Sequence, residues 1–118
     1  MTNTPSPVLS GELLAGLAGI VGKDHLRTDD ESRTFYSTDV FRQAEVLAAA
    51  VVSPGSVSEL QEVMRLCARH RTPSVVRGGG ASYTNAWLPV RPGTLLRDMG
   101  RLTGIDINAE DMYVTVEP

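Results

Sequence analysis

The stretch "VVSPGSVSELQEVMRLCARHRTPSVVRGGG", residues 51–80, decides how this chain folds. Pro54 and Gly55 close an apolar run. Ser56-Val57-Ser58-Glu59 is a capping box, in which a hydroxyl and a carboxylate three residues apart satisfy the first free N–H groups of a helix. Leu60, Val63, Met64 and Cys67 recur at helical spacing and predict one apolar face. Arg69, His70 and Arg71 fall in the last turn, where cations suit the helix dipole. Thr72-Pro73 then stops the helix. Ser74-Val75-Val76-Arg77 is predicted as a short strand. Strand, capped helix, strand makes a βαβ unit, whose two strands are expected to form a parallel pair.

Working outward, "EVLAAAVVSP" (residues 45–54) predicts one buried strand, because its apolar run is unbroken and rich in valine. Further upstream, Leu13, Leu14, Leu17, Ile20 and Val21 predict a helix that Ser10 caps and Gly22 ends. Residues 28–41 are more polar. There Asp29 and Asp30 are expected to cap a short helix that carries Phe35 and Tyr36 inward. Residues 1–8, with Pro5 and Pro7, are expected to be a disordered lead-in. Downstream, residues 94–99 predict a short strand. Ile105 to Ile107, a polar turn at residues 108–111 and residues 112–116 predict a β-hairpin. The fold class is α+β: an N-terminal helix, a βαβ unit, a glycine loop and a β-hairpin.

Composition narrows the partners. The net charge is −3 and the 11 Lys and Arg are scattered, so no basic block points to nucleic acid or an anionic membrane. The N-terminus lacks a basic region, and Gly16 and Gly19 break its short apolar part. A signal peptide or a membrane span is therefore not expected. The single cysteine, Cys67, excludes an intrachain disulfide and a cysteine-rich zinc site, and suits a reducing, cytoplasmic setting. Cys67 is expected in the core, His70 at a helix C-terminus and His25 in a surface loop. Neither histidine has a carboxylate or cysteine at ligand spacing, so no metal site is expected.

Gly78, Gly79 and Gly80 follow directly on the C-terminal end of a strand, the end at which open α/β sheets bind ligands. Phosphate is well recognised by several backbone N–H groups aimed at one point, which favours residues with no Cβ and with positive φ available. No lysine follows to make a G-x-x-x-x-G-K loop. "ASYTNAWLPVRPG" (residues 81–93) has no helical period and contains Pro89 and Pro92, so the glycines open a long loop and not a Rossmann helix. A mobile linker is the other reading. Val75, Val76, Tyr83, Trp87 and Leu88 in the flanks argue against it, but on residues alone both readings stand.

The order of these motifs, over residues 46–118, resembles the opening of an FAD-binding domain of the vanillyl-alcohol oxidase and p-cresol methylhydroxylase type. That group, the FAD-linked oxidases, includes glycolate and D-lactate dehydrogenases. The shared order is an apolar strand ending in proline, a helix, a strand, Arg-Gly-Gly-Gly, a loop, a strand with aspartate, a hairpin, then Val116-Glu117-Pro118. The resemblance implies that residues 45–118 are the N-terminal part of a two-subdomain FAD-binding domain, with residues 1–44 as an extension. It implies that Arg77, Gly78, Gly79, Gly80, Ala81 and Ser82 wrap the FAD pyrophosphate. Ser82 adds a hydroxyl, and Arg77 is either a source of positive charge or a solvated strand end. Asp98 and Met99 would end a strand near the flavin-binding core; neither is assigned as a ligand, since Asp98 can equally cap a turn. Tyr83 and Trp87 would pin the loop or touch the cofactor.

Two departures from the pattern matter. Ala81 replaces the histidine that bonds flavin in some relatives, and alanine has no atom for such a bond, so FAD is not covalently linked there. Asn85 stands where glycine is frequent, and asparagine tolerates positive φ better than most residues. The implied function is half of the cofactor site of a flavin-dependent oxidoreductase that takes a hydride from an alcohol or 2-hydroxy acid. The substrate would be a small molecule bound by a longer parent. No catalytic residue is assigned to this segment, which alone is expected to be inactive. A non-enzymatic nucleotide- or anion-binding module, or a ligand-free interaction domain, would use the same loop differently.

Overall fold

The computed structural model describes residues 9–118, so the lead-in expected at residues 1–8 lies outside the described residues. Helix α1 is Gly11–Val21. The Ser10 hydroxyl accepts the Leu13 N–H at 3.2 Å, and Gly22 ends the helix at φ +87 with its N–H on the Ala18 carbonyl. A single 3-10 turn, Lys23–His25, leads into a two-residue strand, β1, Leu26–Arg27. Helix α2 is Asp30–Tyr36, capped by the Asp29 carboxylate on the Ser32 N–H at 2.8 Å. Strand β2 is Ala50–Val52, helix α3 is Val57–Arg69 and strand β3 is Ser74–Arg77. Strand β4 is Leu95–Asp98, and β5 (Ile105–Asn108) pairs with β6 (Tyr113–Val116) in an antiparallel hairpin. The Asn108 carboxamide accepts the Asp111 N–H at 2.9 Å and so closes the polar turn.

The four-stranded sheet has the order β1-β2-β4-β3, with β1 antiparallel to β2 and the other pairs parallel. This corrects the expected pairing of β2 with β3. The two strands run parallel, but β4 lies between them, matching Leu95 to both Ala50 and Ser74. β4 enters the sheet with two consecutive leucines, Leu95 and Leu96, one on each face and both fully buried. A strand apolar on both faces is most stable in the centre. Its backbone can reach that slot because residues 78–94 form a connection long enough to return to the start of the sheet.

Side chains alternate across this sheet. Ala50, Val52 and Leu95 face α1 and α3, where they meet Leu13, Leu17, Val21, Val63 and Cys67. Val51, Leu96 and Val75 face the other way, onto Ala44, Ala48, Tyr36, Trp87 and Leu88. The sheet is therefore covered by helices on one face and by α2 with the long loop on the other.

Several expectations change at this level. Residues 45–54 supply only three strand residues. Upstream of Ala50 the segment is irregular, and its polar groups are satisfied individually: the Ala49 N–H by Thr94 O at 2.8 Å and the Ala48 N–H by Ser37 Oγ at 2.9 Å. The capping box forms with a variation. Ser56 Oγ accepts the Glu59 N–H at 3.1 Å, while the Glu59 carboxylate takes the N–H of Gly55, one residue before the cap. Met64 is 40% exposed, and it is Leu66 that joins Val63 and Cys67 on the face of α3 toward α1. Its methyl group lies where a Cβ of Gly16 would stand, 2.7 Å from that position, so Gly16 permits close helix packing rather than interrupting α1. Phe35 is not inward but 62% exposed, and only Tyr36 packs on the core.

Leu17→Ala should lower the unfolding free energy by about 2–5 kcal/mol, because it empties a fully buried position between α1 and the sheet. Met64→Ala should stay within about 0.5 kcal/mol of the parent, as a surface substitution. Urea denaturation of the two variants makes the comparison, and equal effects would contradict the assigned face of α3.

Candidate functional site

The three parallel strands end side by side, and each end carries a polar group. Ser53 follows β2, Arg77 closes β3 and Asp98 closes β4. The register brings them together: Arg77 lies opposite Asp98, and Val52 lies opposite Arg97, the residue before Asp98. Ser53 Oγ donates to Asp98 Oδ2 at 3.1 Å, and the Gly100 N–H donates to Asp98 Oδ1 at 3.2 Å. An Arg77 guanidinium nitrogen is 3.7 Å from Asp98 Oδ1, in an ion pair that is largely shielded from water. Asp98 thus caps the turn at Gly100, one of the roles left open for it, and is also the partner of Arg77.

Arg77 is not a solvated strand end. Its guanidinium carbon is 5.1 Å from the ring centre of Tyr36, 5.6 Å from that of Trp87 and 5.8 Å from that of Phe35. The exposure of Phe35 is therefore partial in its consequence, since one part of its ring borders this cation. Its approach to Arg77 depends on how α2 and β3 meet, although the two residues are far apart in sequence, so the helical pattern carried no sign of it.

The glycine run leaves the sheet from Arg77. Gly80 has φ +77, a conformation that glycine adopts without cost. A Cβ there would also fall on the Arg77 guanidinium. Gly78 and Gly79 differ: a Cβ on either would meet nothing within 4 Å, so the packing of this chain does not require glycine at those two positions. The N–H groups of Gly78, Gly79, Gly80, Ala81 and Ser82 find no acceptor among the described residues. A run of five free amides at the C-terminal ends of parallel strands is what an anion site needs from the backbone.

Beyond the glycines the loop is tied down by the segment after α2. The Val40 N–H donates to Ser82 O at 3.2 Å, and the Asn85 N–H donates to Asp39 Oδ2 at 3.1 Å. Arg42 Nε donates to Asn85 Oδ1 at 2.9 Å, and Trp87 Nε1 donates to Tyr36 O at 3.1 Å. Trp87 is 3% exposed and pins the loop, whereas Tyr83 is 70% exposed and does not. Asn85 has φ +63, which meets the expectation for a residue standing in for glycine. The Ser82 hydroxyl is 3.0 Å from that of Thr84. A cleft of about 300 Å³ opens between residues 42–46 and 85–90, and none of residues 77–82 lines it. The glycine run is an open backbone surface, not the wall of a closed cavity.

Asp39 is the functional-site residue that the sequence did not reveal. Its carboxylate accepts the N–H groups of Phe41 and Arg42 on one oxygen and that of Asn85 on the other. The Asp-x-x-Arg spacing hinted at a local turn, but the link to Asn85 spans 46 residues and has no sequence signal. Cys67 and the histidines stay outside the site. Burial pushes the Cys67 thiol up, away from the reactive thiolate. His70 caps the C-terminus of α3, and His25 is half-buried at the end of the 3-10 turn. Among the described residues no group of three or more His, Cys, Asp or Glu gathers as metal ligands, and no helix is long and apolar enough to cross a membrane.

Two outcomes follow. Gly80→Val should cost about 1–3 kcal/mol in thermal unfolding, because a β-branched residue is strained at positive φ, whereas Gly79→Val should leave stability unchanged. The Asp39 carboxylate is held below its ordinary value of 3.8, first by the Arg42 N–H and opposed by burial. Its stabilising contribution is therefore complete above that value and is lost as pH falls through the lower folded one. The stability gap between the parent and Asp39→Ala should be constant near neutrality and close below about pH 3.8. A gap that persists at lower pH would show that the carboxylate's charge is not what holds the loop.

Residues 48–118 match the family described as "FAD binding domain". The chain is 27% identical over 104 residues to glycolate oxidase subunit GlcD of Bacillus subtilis, covering 86% of this chain and 22% of that protein. It is 31% identical over 110 residues to the mitochondrial D-lactate dehydrogenase [cytochrome] of Arabidopsis thaliana, covering 91% of this chain and 19% of that one. Its fold is that of the corresponding part of p-cresol methylhydroxylase with substrate bound, at a TM-score of 0.79 and 23% identity over 94% of this chain and 23% of that chain. The chain spans about a fifth of the length of the curated relatives it matches. With the matched segment reaching from the buried run before β2, across the glycine loop, to the end of the hairpin, the chain belongs to the FAD binding domain family.

Proposed function

We propose that residues 45–118 are the pyrophosphate-binding half of the FAD domain of a longer oxidoreductase, with residues 1–44 adding α1, β1 and α2 to the same core. The observation that carries this reading is the run of five amides at residues 78–82 that have no acceptor among the described residues, beside two glycines whose missing Cβ atoms the packing of the chain does not require. A pyrophosphate fits that description. It offers several anionic oxygens to backbone donors and approaches closest where no side chain intervenes. In this role Gly78, Gly79, Gly80, Ala81 and Ser82 donate N–H groups, and the Ser82 hydroxyl adds a further donor. Asn85, Asp39 and Trp87 hold the far end of the loop still, which lowers the ordering cost of binding.

FAD, when bound, supplies the redox chemistry by accepting a hydride equivalent from a substrate carbon. The relatives named for glycolate and D-lactate act on 2-hydroxy acids, which makes that class, or an alcohol more generally, the proposed substrate. This segment binds and orients, and the groups that move substrate protons are proposed to lie elsewhere in the parent. The hairpin supports a longer parent. Ile105, Ile107, Met112, Val114 and Val116 are all more than half exposed, an apolar surface of the kind that further chain covers.

The full-length protein should purify with FAD, and peptide mapping should find no flavin bonded to the peptide of residues 77–82, because Ala81 has no nucleophilic atom. Gly79→Val should still fold and lose FAD. Losing two charge-assisted hydrogen bonds, at about 1.5 kcal/mol or more each, weakens binding on the order of a hundredfold. His70→Ala should bind as the parent does. Full flavin occupancy and affinity in Gly79→Val would remove the loop from the cofactor site.

A further inference from the structure

Arg77 carries the one charge nearest the glycine run, and the obvious use for it is to face a phosphate. Its surroundings are against that. The guanidinium is paired with Asp98, whose side chain is only 10% exposed, and the arginine side chain is 17% exposed. Three aromatic rings border it, and rings hold cations by their faces. Its Nε is buried with no acceptor among the described residues. On its remaining side the guanidinium lies against Gly80, filling the place of a Cβ.

We infer that Arg77 is a positioning residue: a planar wedge, locked by Asp98 and by Phe35, Tyr36 and Trp87, that supports Gly80 in its positive-φ conformation and so aims the amides of residues 78–82. Its charge is neutralised by Asp98, and its shape does the positioning. The inference rests on the proposed cofactor role of the loop and extends it to a residue that need not touch the cofactor. It also accounts for the order Arg-Gly-Gly-Gly in this chain. Gly78 and Gly79 leave room on the outer side, while Gly80 leaves room on the inner side for the guanidinium.

The two roles respond differently to substitution. Lysine keeps the charge but is neither planar nor able to stack as guanidinium does. On the positioning role, Arg77→Lys and Arg77→Met weaken FAD binding about equally, on the order of tenfold. Asp98→Asn, which releases the arginine from its counter-ion, also weakens binding. On a direct charge contact, Arg77→Lys keeps its affinity, and Asp98→Asn binds as tightly as the parent or more so.

The experiment is titration of FAD into the apo form of the full-length protein and of these three variants, followed by flavin fluorescence, at a temperature where circular dichroism shows each folded. Leu17→Ala serves as the control, since it destabilises the core without touching the loop and should keep parental affinity. Comparable losses in Arg77→Lys and Arg77→Met, with a loss in Asp98→Asn, establish the wedge. Retained affinity in Arg77→Lys, or unchanged or tighter binding in Asp98→Asn, overturns it. A loss in Leu17→Ala matching that of the Arg77 variants overturns it too, by showing that affinity follows general stability. Where Arg77→Lys does not fold, Asp98→Asn decides. If the parental protein takes up no FAD, it is the cofactor reading that has failed, which is a distinct result from a parent that binds FAD and an Arg77→Lys variant that binds equally well.

Discussion

The placement of β4 between β2 and β3 is the constraint on which the rest of this structure depends. A central strand must be apolar on both faces, and Leu95 and Leu96 meet that requirement in consecutive positions. Leu95 is committed to the layer of α1 and α3, and Leu96 to the layer of α2 and the long loop. The same placement sets Asp98 between Ser53 and Arg77. Were β2 and β3 direct neighbours, the carboxylate would not lie between them, and the arginine would end the strand without its counter-ion.

A buried ion pair is a weak source of stability, because desolvating both charges offsets most of their attraction. What it does here is geometric. The Arg77–Asp98 pair links the ends of adjacent strands at the point where the glycine run departs, and the rings of α2 and Trp87 close around it. A second arginine works similarly one strand away. Arg101 donates to Ser53 O at 2.9 Å, approaches Glu59 at 3.6 Å and lies against Gly55. In both places a glycine without a Cβ admits a guanidinium that joins a strand end to its neighbours. The sheet thus presents its C-terminal edge as a connected set of polar contacts, from which the loop emerges with its first five amides unpaired among the described residues.

The hairpin stands apart from this arrangement. Its residues have the alternation and turn chemistry of a stable β-hairpin, yet both faces are exposed. An isolated two-stranded ribbon is marginal in water, so its apolar side chains indicate a surface made for burial. The glycine loop is supported from within the chain at both ends, and the hairpin is not.

Much of this was legible in the sequence, and the parts that were legible are local. The caps by Ser10, Asp29 and Ser56, the stop at Gly22, the turn at Asn108, strands β3 and β4 and the positive φ of Asn85 all depend on residues a few positions apart, where side-chain chemistry and backbone geometry act directly. The glycine loop was legible as a possible anion cradle for the same reason. What only the tertiary structure decided is long-range. Strand order, the outward turn of Phe35 and Met64, the use of Gly16 as a helix contact, the clamp of Asp39 on Asn85 and the enclosure of Arg77 each join residues many positions apart. Periodicity tells which side of an element is apolar, but not which element will cover it. A charged residue at a strand end therefore looks solvated until the fold brings rings and a carboxylate around it.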